Sequence, residues 1–98
     1  IMIKNTVFSK EGNREVLEQF IASLNIDATY HKVNGYDAFA FYSKDIISDD
    51  LRKFSREYPT IPFELAYEIS GMQVDAHYIN GMDLEEEMGF FLHERNYM

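Results

Sequence analysis

The chain has 98 residues, of which 46% are apolar; it has no cysteine and a formal net charge of −8. One domain with a two-layer core fits that length, the absent cysteines exclude disulfides and thiolate metal centres, and no apolar run approaches the roughly 20 residues of a membrane-spanning helix. The acid excess argues against direct nucleic-acid binding, and it is unevenly placed: residues 1–56 balance eight acids with eight bases, whereas residues 57–98 set nine acids against Arg95 alone.

Met2 to Phe8 is rich in β-branched residues and reads as a strand ended by Ser9. Val16, Leu17, Phe20, Ile21 and Leu24 then recur at helical spacing, with Ser9 or Asn13 available as the cap and Asn25 and Asp27 marking the exit. Asn34-Gly35 follows, between two strand-like runs. It suits a type I′ hairpin, whose central residues both need positive φ. This turn pairs Lys32 with Asp37 as opposite charges, Tyr30 with Phe39, and Ala28 with Phe41. The reverse face pairs Val33 with Tyr36, His31 with Ala38, and Thr29 with Ala40, so the Tyr30/Phe39/Phe41 face is the core candidate.

Ser48 suits the cap of a second helix, with Asp49 and Asp50 at its positive end, Leu51, Phe54 and Tyr58 as its stripe, and Pro59 as its stop. Ser70-Gly71 then closes a hairpin. It sets Phe63 against Tyr78, Leu65 against Ala76, Tyr67 against Val74 and Ile69 against Met72 on an apolar face. Glu64 with His77, Ala66 with Asp75, and Glu68 with Gln73 form the polar face, and a slip of one residue would destroy the agreement.

A further hairpin at Asn80-Gly81 would pair Tyr78 with Asp83, Ala76 with Glu85 and Val74 with Glu87, and would set Asp75 against Glu86. Those mismatches predict a helix over residues 83–94 instead. Asp83 would be its N-cap, Glu85, Glu86 and Glu87 its first turn, and Leu84, Met88, Phe91 and Leu92 its stripe. The order is β-α-β-β-α-β-β and a C-terminal helix. That predicts a single α+β domain over residues 1–98: a ferredoxin-like β-α-β-β-α-β core with an added fifth antiparallel strand and both long helices on one face.

The runs IKNTVFSKEGNREVLEQF, FAFYS and LRKFSREYP–FELAYEISGM, with the closing Tyr78-Ile79-Asn80-Gly81, resemble the YubB-like small proteins of phages and conjugative plasmids. The similarity covers most of residues 2–81. It implies a ferredoxin-like domain from a mobile element, of a family with no established activity and hence no catalytic residues to carry over. Longer members tend to carry a Trp-Ser-Pro-Pro segment where this chain reads Phe41-Tyr42-Ser43-Lys44-Asp45, so a site built around that segment does not carry over from the resemblance.

No nucleophile elbow, phosphate-binding loop or dinucleotide-binding glycine run occurs, and Val7-Phe8-Ser9 lacks the acid that metal nucleases of similar topology carry there. The expectation is a protein that is not an enzyme and has neither cofactor nor metal. His77 beside Glu64 and Asp75 has the chemistry to hold a cation, but an exposed cross-strand pair explains the trio as well. His93-Glu94 starts like a zinc-protease motif and fails at Tyr97.

An open sheet face bearing Tyr36, Tyr42, Glu64, Glu68, Asp75 and His77 would repel RNA through its carboxylates. The sharper expectation is an acidic partner-binding face formed by Glu64, Glu68, Asp75, Glu85, Glu86 and Glu87. Such a face competes with phosphates for the basic groove of a nucleic-acid-handling protein, as an anti-CRISPR or anti-restriction inhibitor or adaptor would. The alternatives are an interaction module that dimerises or docks through the fifth-strand edge or the last helix, or a small-ligand regulatory domain. The first residues, IMIKNTVF, lack a signal peptide's charged head followed by an apolar stretch, so a cytoplasmic location without membrane contact is expected.

Overall fold

The computed structural model describes residues 2–84. Strand β1 (Ile3–Lys10) leads into helix α1 (Arg14–Leu24), followed by β2 (Thr29–Val33), β3 (Tyr36–Ser43) and helix α2 (Ser48–Phe54). Strands β4 (Phe63–Ile69), β5 (Met72–Ile79) and the two-residue β6 (Met82–Asp83) complete the described chain. All six strands join one antiparallel sheet in the order β2-β3-β1-β4-β5-β6. Among the described residues, no helix is long and apolar enough to cross a membrane.

Period-two alternation along the strands sets which residues go inside. Ile3, Asn5, Val7 and Ser9 of β1 are buried while their neighbours are not, and Val7 packs with Phe39, Phe41, Phe63, Leu65 and Tyr78 from the other strands. Leu17, Phe20 and Ile21 of α1 and Leu51 of α2 close the same cluster, so both helices lie on one face of the sheet. Phe54 joins the layers, its ring centroid 5.2 Å from Phe20 and 5.8 Å from Phe63. All seven expected β4–β5 pairs form, as do five of the six expected β2–β3 pairs; the sixth, Ala28 with Phe41, is missing because β2 begins at Thr29.

Local details depart from the sequence expectation. Ser9 lies within β1, donating its hydroxyl to Pro62 O at 3.1 Å and accepting Asn13 Nδ2 at 3.2 Å. Asn13 is the cap position of α1, but that bond turns its side chain away from the helix amides. Ser48 is the first helical residue of α2 rather than its cap; Ile47 holds the cap, and the Ser48 hydroxyl bonds Tyr78 instead. A 3-10 turn over Ser55–Glu57 replaces the last turn of α2, because Pro59 forces Tyr58 out of helical geometry, to φ −131 and ψ 69.

Of the three two-residue turns, Ser70-Gly71 (φ 51 and 77) and Asn80-Gly81 (φ 49 and 78) have both central residues left-handed, as type I′ requires. At Asn34-Gly35, where that turn was expected, only Gly35 is left-handed. Its carbonyl is committed to the Glu11 N–H at 3.0 Å, so the loop entering α1 shapes this turn too.

The hairpin rejected on mismatched pairs does form, for two pairs: Tyr78 with Asp83 and Ile79 with Met82. Asp83 is therefore a strand residue, and it stands directly before Leu84, the first helical residue of this stretch. The hairpin's turn is anchored from outside the pair. Gly81 N–H donates to Ser55 Oγ at 2.8 Å, and Arg52 reaches Gly81 O at 3.4 Å. The rest of the expected C-terminal helix lies outside the described residues.

Candidate functional site

The sheet face opposite the helices has no layer over it among the described residues. Its side chains follow from the same alternation in three rows, read from β3 through β1 and β4 to β5. They are Tyr42, Lys4, Glu68 and Gln73; Ala40, Thr6, Ala66 and Asp75; and Ala38, Phe8, Glu64 and His77. Beyond β3, β2 adds Thr29, His31 and Val33. Tyr36 and Lys10 stand side by side at one end.

Small side chains in the middle row leave the face concave. Depressions of about 550 Å³ over Ala40, 300 Å³ over Ala66 and 210 Å³ over Thr6 lie between the taller residues. Lys4 borders both the first and the last of these, beside Tyr42 and Glu68 respectively. Three of the most exposed large apolar side chains stand on this face: Tyr42 (59%), Val33 (44%) and Met82 (44%).

Charge at the strand positions of the face is segregated, while Asp27, from the loop before β2, borders the depression over Ala40. The strand positions of β1, β2 and β3 that open onto it carry Lys4, Lys10 and His31 and no carboxylate. Those of β4 and β5 carry Glu64, Glu68 and Asp75 and neither lysine nor arginine. The expected acidic residues that fall within residues 2–84 therefore share one half of one face, on adjacent strands. Glu85, Glu86 and Glu87 lie outside the described residues.

Neighbours temper each carboxylate. Glu64 Oε1 lies 3.2 Å from His77 Nε2, with both side chains half-exposed. Asp75 accepts from Gln73 Nε2 at 3.3 Å, and Glu68 stands opposite Lys4 in the β1–β4 register. The β1 residues Lys4, Thr6, Phe8 and Lys10 were missing from the sequence-based list of this face. β1 becomes central only when β3 and β4 pair on either side of it, and no local turn signals that. Among the described residues, no cluster of three His, Cys, Asp or Glu side chains is placed to hold a metal ion.

A second polar cluster lies on the helix side. Asp37, 4% exposed, accepts the Gly12 N–H at 2.9 Å and the Tyr30 hydroxyl at 2.5 Å. Lys32 stands opposite Asp37 in the β2–β3 register, as expected, but its ion pair is with Glu11, while Asp37 turns inward beneath the loop entering α1. The Tyr30 hydrogen bond holds the Asp37 carboxyl below its ordinary pKa, helped by the Gly12 amide and opposed by burial. Arg14 stacks over the Tyr30 ring with its guanidinium 3.9 Å from the centroid. This carboxylate is structural.

No protein-family model, curated protein or solved structure matches this chain. The open sheet face is thus the candidate site on geometry alone.

Proposed function

We propose that the protein is a non-catalytic binding module of a mobile element, and that it captures a nucleic-acid-handling protein with the β4–β5 half of the open sheet face. The observation that carries this reading is the confinement of Glu64, Glu68 and Asp75 to adjacent strands of one face, over which the described residues place no layer. Carboxylates in such a row compete with phosphates for arginine and lysine and steer association electrostatically. A ferredoxin-like description of the fold belongs to the same reading. It is supported by the order β2-β3-β1-β4 within the sheet and by the two helices sharing a face, with β5 and β6 as additions.

The test is capture from nuclease-treated host lysate at low and high salt, with wild type beside a Glu68→Lys/Asp75→Lys variant. Salt-sensitive capture of a nucleic-acid-binding enzyme, displaced by duplex DNA and lost in the variant, supports the proposal. Capture that survives both salt and the reversals refutes it. That second outcome would favour docking through the edge of β5, whose residues Met72 to Ala76 have no strand outside them among the described residues.

A further inference from the structure

The segregated charge on the open face has a property that a partner-binding surface does not need: it is complementary to itself. We infer that this face also pairs two copies of the chain, sheet against sheet, about a two-fold axis running along the strands between β1 and β4. Such an axis exchanges residues that are register partners across that boundary. Lys4 of one copy then lies over Glu68 of the other, because the two are β1–β4 partners, and Tyr42 lies over Gln73 for the same reason one strand further out. At the centre Thr6 lies over Ala66, and these short side chains let the two faces approach closely. An axis across the strands would instead bring Lys4 towards Lys10, like against like.

Three observations favour a second copy as the occupant. First, a two-fold interface must match itself, and here the half bearing Lys4, Lys10 and His31 faces the half bearing Glu64, Glu68 and Asp75. Second, the exposed side chains of Tyr42, Val33 and Met82 would be covered. Third, the size fits. A six-stranded face with strands of this length measures roughly 25 by 20 Å, so two of them bury on the order of 1,000 Å², the lower limit for a specific association. Sheets packed face to face stay aligned to within about 30°, which the axis along the strands allows. The contact is reversible and salt-sensitive, since its charges sit in a solvated rim.

This inference stands apart from the partner reading. A basic partner would compete with the second copy for the same carboxylates, but self-association needs only the purified chain.

The test is the solution mass across protein concentration and salt, by light scattering and sedimentation, for three forms of the whole chain. Wild type is expected to approach twice its 11.5 kDa mass as concentration rises, and to return toward the monomer in high salt. Lys4→Glu/Lys10→Glu sets carboxylates against carboxylates, and Glu68→Lys/Asp75→Lys leaves Glu64 as the one acid of its half and sets Lys4 against a lysine, so each is expected to stay monomeric alone. Mixed in equal amounts, they are expected to regain the doubled mass as a heterodimer. Circular dichroism confirms that each variant is folded; if either is not, Lys4→Gln/Lys10→Gln and Glu68→Gln/Asp75→Gln take their place, and each is expected to weaken the dimer. A wild type that stays monomeric throughout overturns the inference. So does a dimer that either folded variant keeps unchanged, or a mixture of folded reversals that fails to associate.

Discussion

Tyr30 donates its hydroxyl to Asp37 Oδ1 at 2.5 Å, and the other carboxylate oxygen takes the Gly12 N–H at 2.9 Å. One buried carboxylate thereby ties the β2–β3 hairpin to the loop that enters α1. Removing it by Asp37→Ala strands both donors, which costs about 1–3 kcal/mol. Chemical denaturation at neutral pH measures that loss.

The same contact predicts an acid limb. Because the Asp37 pKa is lowered in the folded state, its contribution is present above the unfolded carboxyl value near 4 and is lost as pH falls through the folded value. Tyr30→Phe removes the largest cause of that shift, so stability should fall less steeply between about pH 5 and 2 than in wild type. Equal slopes in the two proteins would assign the acid limb to other carboxylates.

Ser55 is fully buried and bonds in both directions, donating to Arg52 O at 2.6 Å and accepting the Gly81 N–H at 2.8 Å. Ser55→Ala leaves that amide without its acceptor and should cost about 1–3 kcal/mol. Gly81→Ala tests the same anchor from the other side. A Cβ there would stand 2.5 Å from Arg56 Nε, whereas at Gly71, with nearly the same φ, it meets nothing within 4 Å. Both substitutions incur the left-handed penalty of about 1 kcal/mol, and Gly81→Ala should cost more. Equal melting temperatures for the two would show that the turn gains nothing by docking.

At the β4–β5 turn, Ser70 adopts φ 51, a conformation asparagine tolerates better than serine. Ser70→Asn converts the loop to the preferred Asn-Gly type I′ pair and should raise stability by a few tenths of a kcal/mol to about 1. A fall in the denaturation midpoint would mean that the serine makes a contact asparagine cannot replace.

Phe63 is fully buried where β4 meets α2, in edge contact with Phe54. Phe63→Ala should cost about 3–5 kcal/mol through lost transfer energy and the cavity left behind. Leu65→Ala, two residues along on the same face, should cost about 2–5 kcal/mol. A loss under 1 kcal/mol at Phe63 would show that the layers are not packed through this ring.

The order of strands and helices from β1 to β5, the inward stripe of each helix and two hairpin registers follow from the sequence. They depend on period-two and helical spacing and on turn residues a few positions apart: Ser70-Gly71 alone fixes seven cross-strand pairs. Much of the candidate face was legible in the same way, since Glu64, Glu68 and Asp75 share one side by alternation. What the chain's local patterns do not carry is where partners distant in sequence meet. Asp37 turns inward because Gly12, 25 residues earlier, presents an amide there, and β6 forms because Ser55, 26 residues before Gly81, holds its turn. Lys4 and Lys10 stand on a central strand of the open face because β1 lies between β3 and β4. Spacing sets which side of its own strand a residue occupies, but its neighbours across the sheet are set by packing both helices over one core, and only the tertiary structure decides that.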